Sequence, residues 1–489
     1  MIQLRTAPTN AKRQQIYKII GTFLCMRTST AFTFLHRSRT FQTTLSKSTF
    51  KTFYRSMSTS TTLSSFSSKS FTEFIHNSKS QFESNIGSAS HKINLVMGNE
   101  AADADSIISS LTFSFLLHES SNTSNNDAND ESNLYLPLIS IPKEDIALRR
   151  DATLLLECCQ ISIDKLLYLD PPTITSISTS EDLNMLLTDH NAIRQELQNF
   201  SQNVTMILDH HQDEHQHKHL SLPSNRIIAF HNGKALVGST CTLIVEQMRE
   251  MRKNHHTFTL NWEIAIMLLG TILVDTVNQS QTAGKVTDRD RKVIQYLLQE
   301  TDWTLFHSTY PQLFDRNETT TIQPNTTLVY NWLSNAKFDI KFWKKLSGHD
   351  CLRIDYKNFI ASSPKASISK VGLSSILLPL DDFMSKSDLI SSMESFMQKH
   401  QISLLGVMSC IIENDTPIRS MVFFSKDLFL MKSLEKFFME NTQASSLECH
   451  KQDSSVKIGE FHVQTFAQGN PKGSRKQVAP ILLEFLNQN

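Results

Sequence analysis

From His91 onward, short runs rich in β-branched residues and Leu end in polar clusters, each followed by a stretch with helical spacing. The runs 92–97, 135–141 and 205–208 precede, in turn, a helical pattern at 105–118, another at 144–159, and the polar turn beginning at Asp209. Strands that alternate with helices predict an α/β domain whose mainly parallel sheet is flanked by helices. A Thr/Asn-rich stretch between 310 and 342, with Pro324 inside it, separates this unit from a second α/β pattern. That second pattern has apolar runs at 376–380, 404–412 and 420–424 and a helix over Leu428–Glu440. The expected division is 88–325 for the first domain, 326–342 for a linker and 343–489 for a smaller second domain, with a site in the cleft between them. Residues 119–133, ESSNTSNNDANDESN, read as a surface insertion.

The length of 489 residues accommodates two or three folded units. The longest apolar stretches, such as 264–274, fall well short of the ~20 residues that cross a bilayer, so no membrane insertion is expected. Seven cysteines, at 25, 158, 159, 241, 351, 410 and 449, form no CxxC pair and point to a reducing compartment. Net charge is zero, 48 basic against 48 acidic residues, but the balance is uneven along the chain. The first acid is Glu73, and eleven basic residues precede it among abundant Ser, Thr and Phe. Residues 1–75 therefore read as a targeting segment for the mitochondrial matrix or, more blandly, as a disordered basic tail. Initiation at Met57 would shed most of these cations and leave a cytoplasmic form. The chain from Glu73 onward carries 37 basic against 48 acidic residues.

Four places in the first domain put acids or imidazoles at the end of an apolar run. Asn99, Asp103 and Asp105 follow the run 92–97; two carboxylates two residues apart suit a divalent cation bound by oxygen, or else a loop and helix cap, for which Asp105 and Ser106 are apt. Asp209-His210-His211 ends the run 205–208, where adjacent rings can point to a metal and to a substrate oxygen while Asp209 orients one of them. The histidines just beyond, His215, His217 and His219, read as surface residues. Asp275 closes the segment 270–274, where a buried unpaired carboxylate is costly and a cation, a hydrogen-bond network or a helix terminus is expected. Asp189 ends the run 185–188, with Asp170 before Pro171 as its rival. Taken as four strand ends, they offer oxygen and nitrogen ligands without Cys, a set that favours Mg, Mn or Co. In the second domain Arg475 and Lys476 offer a planar fork and a point charge suited to phosphate, and Lys357, Arg149 and Arg150 are further basic candidates.

GNEAADADSI at 98–107, IPKEDIALRRD at 141–151, LTDHN at 187–191, LDHH at 208–211 and GTILVDTVN at 270–278 precede DYKNF at 355–359 and SRKQV at 474–478. In kind and order these motifs resemble the DHH family of phosphoesterases, in the branch with a DHHA2 second domain that contains exopolyphosphatases, prune-type proteins and family II inorganic pyrophosphatases. The likeness runs from about residue 91 to the end and is strongest to fungal exopolyphosphatases: GSTCT at 238–242 shares it, and Asn99 stands where family II pyrophosphatases carry His. The resemblance implies an N-terminal DHH domain, a smaller C-terminal α/β DHHA2 domain, and an active site in the cleft between them. It implies two divalent ions, Mg or Mn with Co as a further candidate, held by Asp103, Asp105, Asp189, His210 and Asp275 with Asn99 at or near a metal, and it favours Asp189 over Asp170. Asp103, Asp189, Asp209, His210 and Asp275 become the catalytic group. His211, Lys357, Arg475 and Lys476, with Arg149 as a further candidate, become the substrate contacts. The implied reaction is release of orthophosphate from the end of inorganic polyphosphate by a monomeric enzyme; the alternatives are a pyrophosphatase, a short-chain polyphosphatase or a prune-like phosphodiesterase. No aromatic platform for a base lies near the motifs, so nucleic acid is not an expected partner. Residues 1–75 fused to a fluorescent reporter should direct it to mitochondria, and a reporter that stays diffuse in the cytosol would remove the targeting reading.

Overall fold

The computed structural model describes residues 70–488, apart from 89–90, 125–131, 181–182, 255–259, 316–321, 362–369 and 414–415. The expected targeting segment lies, as far as residue 69, outside the described residues. Its last residues do not: helix α1 (Phe71–Asn85), capped by the Ser70 hydroxyl on the Glu73 amide, buries Phe71, Phe74 and Ile75. The fold therefore begins inside the segment 1–75, because an amphipathic helix with three large apolar side chains finds a core to cover.

The first lobe is built on β1 (His91–Met97), β2 (Ser132–Leu138), β3 (Leu183–Thr188), β4 (Val204–Asp209) and β5 (Arg226–Ile228), ordered β2-β1-β3-β4-β5. Every pairing is parallel, as the alternation of runs predicts. Ile93, Leu95 and Met97 point to one face and Val96 to the other, so a core forms on each side of the sheet. Helices α2 (Ala104–Ser124), α3 (Arg150–Cys158) and α4 (Pro171–Ser178) connect the first strands. The expected insertion at 119–133 is thus partly regular structure, α2 running to Ser124 and β2 starting at Ser132, while 125–131 lie outside the described residues.

After a small ribbon of β6 (Phe230–His231) and β7 (Lys234–Ala235), the lobe is completed by α5 (Thr240–Asn254), α6 (Trp262–Asp275), α7 (Asp288–Glu300) and α8 (Thr326–Lys337). Three expectations are corrected here. The apolar run before Asp275 is not a strand but the body of α6, whose residues 264 to 274 are all buried against α2, α5 and α8; a helix covered on every side has no polar stripe to reveal its period. The expected linker 326–342 begins as helix α8, with Val329 and Leu333 in the first core and the Asn325 side chain capping its start. Composition misleads because Thr and Asn serve as caps as readily as they fill loops. His217, expected at the surface, is buried: its Nε2 accepts from the Ile193 amide at 3.1 Å, so Nδ1 carries the proton it donates to the Ser201 carbonyl at 3.0 Å.

The second lobe contains α9 (Gly348–Ile354), β8 (Tyr356–Ile360), β9 (Lys370–Ile376), α10 (Leu389–His400), β10 (Leu404–Glu413), β11 (Thr416–Ser425), α11 (Leu428–Glu440), β12 (Cys449–Ile458), β13 (Phe461–Gln468) and α12 (Arg475–Gln488). Its sheet runs β12-β13-β11-β10-β9-β8, parallel at β9 and β10 and antiparallel elsewhere. Helix α10 packs on one face, and α11 and α12 pack on the other. Among the described residues no helix is long and apolar enough to cross a membrane.

Gly270 of α6 meets Leu333 of α8 so closely that a Cβ on the glycine would stand 2.6 Å from Leu333 Cδ1. Leu333→Ala should therefore destabilise the protein by about 2–5 kcal/mol, the cost of a core cavity rather than of a linker substitution; calorimetric unfolding measures it.

Candidate active site

The site grows from the carboxyl ends of β1, β3 and β4, which open on one rim because the strands are parallel. After β1 the chain turns at Gly98, where a Cβ would lie 2.6 Å from the Ser106 carbonyl, so the turn folds directly onto α2. Asp103 caps that helix, its Oδ1 accepting from the Ser106 amide at 3.1 Å. Asp105, in the first turn, accepts from Ser239 Oγ (2.7 Å), the Thr240 amide (2.7 Å) and the Cys241 amide (2.9 Å). Asn99 commits both ends of its amide to the protein: Oδ1 accepts from the Ala101 amide, and Nδ2 donates to Asp189 Oδ2 at 2.6 Å.

Asp189 follows β3 with a left-handed backbone, φ 63°, a conformation Asp tolerates better than most residues. Its carboxylate joins the rim together. Oδ2 accepts from Asn99 and from Ser106 Oγ (2.7 Å), and Oδ1 accepts from Thr240 Oγ1 (3.2 Å). The same Oδ1 lies 3.4 Å from His210 Nε2 and 3.5 Å from His211 Nδ1. Ligand atoms of Asp189, His210 and His211 fall within 4.8 Å of one another. Asp170, the rival, is the N-cap of α4.

The two imidazoles have different partners. His210 Nδ1 donates to the Val237 carbonyl at 3.1 Å, which leaves the lone pair of Nε2 facing Asp189 and Asp105. Asp209 holds the other ring: its Oδ1 accepts from His211 Nδ1 at 2.8 Å and from both backbone amides that follow it, and its Oδ2 accepts from Asn191 Nδ2 at 2.6 Å. The ring that Asp209 orients is thus that of His211, and it reaches His210 only through the backbone amide.

Asp275 arrives from the C-terminus of α6, and its Oδ2 is buried without a hydrogen-bond partner. Burial and the charge of Asp105 push its carboxyl well above the usual range. Asp105 itself is raised to about 6 by burial and then by Asp189, and Asp103 is raised by the same two causes. Carboxylates that resist ionising because they crowd each other fit a cation. The donors that face one another are carboxylate oxygen and imidazole nitrogen, a set able to hold a divalent cation.

The second lobe brings cations to this rim. Lys476 Nζ stands 3.2 Å from His210 Nε2, and Lys357 is near enough to attract Asp103 and Asp189. The Asn358 amide donates to Glu100 Oε1 at 3.2 Å across the cleft. Arg475 is engaged by Asp355, donating to its carbonyl at 2.8 Å and its carboxylate at 2.6 Å. Arg149, expected as a substrate contact, is a brace: Nε and Nη2 donate to the Ala101 carbonyl and Nη1 to that of Asp145, and burial lowers its guanidinium to about 10.

Residues outside the expected set complete the site. The 238–242 loop holds Asp105 and is itself held by Asp290, whose carboxylate accepts from the Gly238 amide (3.0 Å) and from Thr242 Oγ1 (2.7 Å). GSTCT in the sequence is the trace of that loop; Asp290 looks like an ordinary helix cap. Lys337, at the end of α8, pairs with Asp151 at 2.9 Å; burial opposes its charge, yet Asp151, Asp275 and Asp103 hold its ammonium above the usual value.

Two family models match the chain: the DHH family, N-terminal domain, over residues 94–271, and the DHHA2 domain over residues 331–485. Among curated proteins, Exopolyphosphatase PRUNE1 of Rattus norvegicus is 25% identical over 399 residues, 81% of this chain and 76% of the relative. A Schizosaccharomyces pombe protein that bears the name exopolyphosphatase provisionally is 26% identical over 437 residues, 85% of this chain and 98% of its own. Among solved structures, a Methanococcus jannaschii protein described provisionally as a family II inorganic pyrophosphatase superposes with a TM-score of 0.50, covering 81% of this chain and 99% of that one. At 18% identity, that likeness is one of fold.

Because Asp275 is buried beside Asp105 with one oxygen lacking a donor, Asp275→Asn should raise the melting temperature of the cation-free protein at neutral pH by roughly 2–4 °C, the shift of about 1 kcal/mol in a domain of this size. It should also lose most of the stabilisation that Mn brings to the parent chain. A variant that melts lower than the parent without Mn would contradict this electrostatic account.

Proposed function

We propose that this chain, which belongs to the DHH family of phosphoesterases and carries a DHHA2 second domain, hydrolyses the terminal phosphoanhydride bond of inorganic polyphosphate and releases orthophosphate. The observation that carries the reading is the meeting of Asp189, His210 and His211 with Lys476 of the second lobe, acids on one wall and cations on the other. The exopolyphosphatase names of the relatives support it.

Asp103, Asp105, Asp189, His210 and Asp275 would hold divalent cations, Mg or Mn. Such ions, when bound, acidify an attacking water and neutralise phosphate charge. The chain's own groups supply the rest. Asp209 fixes the His211 ring so that its Nε2 can be presented to a phosphoryl oxygen. Lys357 and Lys476 are placed to stabilise charge that spreads over those oxygens as the bond breaks, and Arg475, steadied by Asp355, is placed to do the same. Asn99 argues for the exopolyphosphatase branch, since its amide donates to Asp189 and braces that carboxylate.

With 37 basic against 48 acidic residues from Glu73 onward, the body repels a polyanion at long range. Binding then rests on the bound ions and on the cations of the cleft. The basic segment before Glu73 is, in this proposal, an address for mitochondria and takes no part in catalysis.

The test is phosphate release by the purified full chain from long-chain polyphosphate, pyrophosphate and a cyclic dinucleotide, each with Mg or Mn. Release from polyphosphate, abolished by Asp189→Ala with the fold retained by circular dichroism, is the expected outcome. Turnover of pyrophosphate alone would make the chain a pyrophosphatase.

A further inference from the structure

The sequence IPKEDIALRRD at 141–151 supplies no ligand to the carboxylate rim, yet both lobes close on it. Its centre is a short 3-10 turn, Lys143–Leu148, in which Ile146 enters the core of the first lobe while Leu148 packs against that of the second. The buried Asp145 carboxylate accepts from Arg353 at the end of α9, whose Nε is held by Asp350 at 2.8 Å. On its backbone carbonyl the same Asp145 accepts from Arg149 Nη1 at 3.0 Å. Arg149 is buried, and its Nε and Nη2 close on the Ala101 carbonyl at 3.2 and 2.7 Å. An unbroken line of polar contacts therefore runs from the second lobe to the turn between Asn99 and Asp103.

That turn needs holding. Ala102 has φ 46°, a left-handed backbone that disfavours any residue with a Cβ and persists only where the surroundings impose it. The Ala101 carbonyl belongs to the peptide plane that sets this angle, so the two bonds from Arg149 fix the plane that a relaxed Ala102 would turn. The second lobe also reaches the neighbouring residue directly, through the Asn358 amide on Glu100 Oε1 at 3.2 Å. Within its own lobe, Arg353 stands shortly before Asp355, which holds Arg475, and before Lys357. One ion pair thus ties the phosphate-facing cations on one side to the turn that ends in Asp103 on the other.

We propose that Asp145 and Arg353 are positioning residues: their pairing docks the second lobe and, through Arg149, holds the 99–103 turn in its strained, cation-binding shape. The inference deepens the proposed function and rests on it for the bound cation. Such coupling is reciprocal. A cation at the rim tightens the docking of the second lobe, and an undocked lobe weakens the hold on the cation. The acidic wall and the basic wall are then completed together, and neither is complete while Arg353 is away from Asp145.

The test uses the full chain with Arg353→Gln, with Asp145→Asn and with both. A control in the same 3-10 turn is Lys143→Ala, which removes an exposed pair with Asp164. Mn affinity is measured by calorimetric titration and by the paramagnetic resonance of free Mn. Each single variant should bind Mn about five- to tenfold more weakly. The double variant should lie within about twofold of either, since all three break one link, and Lys143→Ala should bind as the parent does. Hydrogen exchange without metal should quicken about tenfold at the amides of 101–106 in the first three variants and not in the control. A pair with a local role alone would change exchange only at 143–149 and 350–354 and leave Mn affinity as it is; that pattern, or additive losses in the double variant, overturns the inference. Where Arg353→Gln unfolds the second lobe, Asp145→Asn puts the same question from the first. A parent chain that binds no Mn would remove the ions of the proposed function, and the exchange measurement would still decide the coupling. A parent chain that binds Mn and shows the coupling but cleaves no polyphosphate would remove the proposed activity and leave the inference standing.

Discussion

Buried negative charge is what this fold is organised around. Asp103, Asp105, Asp189 and Asp275 approach one another in a place with little water, where like charges interact strongly and each ionised carboxylate needs donors or a cation. The protein answers part of that need itself. Asp189 and Asp105 are each wrapped by several donors from neighbouring loops. Asp275 keeps an oxygen without a donor. The result is a rim partly satisfied by protein donors and partly left with carboxylate oxygen unmatched, an arrangement that a bound cation would complete.

That arrangement also explains the structural residues around it. Asp290 is buried at the start of α7, yet its two oxygens hold the 238–242 loop, and that loop holds Asp105 and presents the Val237 carbonyl region to His210. Arg149 does the corresponding work for the turn after β1 through the Ala101 carbonyl. Each spends charge on geometry, Asp290 on the loop that holds the buried Asp105 and Arg149 on the turn before it.

The sequence makes the parallel sheet and three of the four acid clusters legible, because period-two apolar runs that stop at Asp or His are visible one segment at a time. It leaves Asp275 open between a strand end and the helix terminus it proves to be, since eleven consecutive buried residues of α6 hide the helical period. It takes α8 for a linker, because the helix opens on Asn325, Thr326 and Thr327 while only Val329 and Leu333 bury. The strands β12 and β13 escape notice: polar and apolar side chains are mixed along them, and their identity as strands comes from pairing with each other and, for β13, with β11. Which ring Asp209 orients is not legible, as adjacent histidines are indistinguishable until a backbone decides which ring turns toward the carboxylate.

The position of α8 has a mechanical meaning. Anchored along its length on α6 and pinned at its end by Lys337 on Asp151, it belongs to the first lobe, and the chain leaves for the second lobe only after it. The same Lys337 is within the electrostatic reach of Asp103 and Asp275. The joint between the lobes is therefore adjacent to the charges that ions would neutralise, so a change of ionic state in the rim and a change of angle at the joint act on one ammonium group.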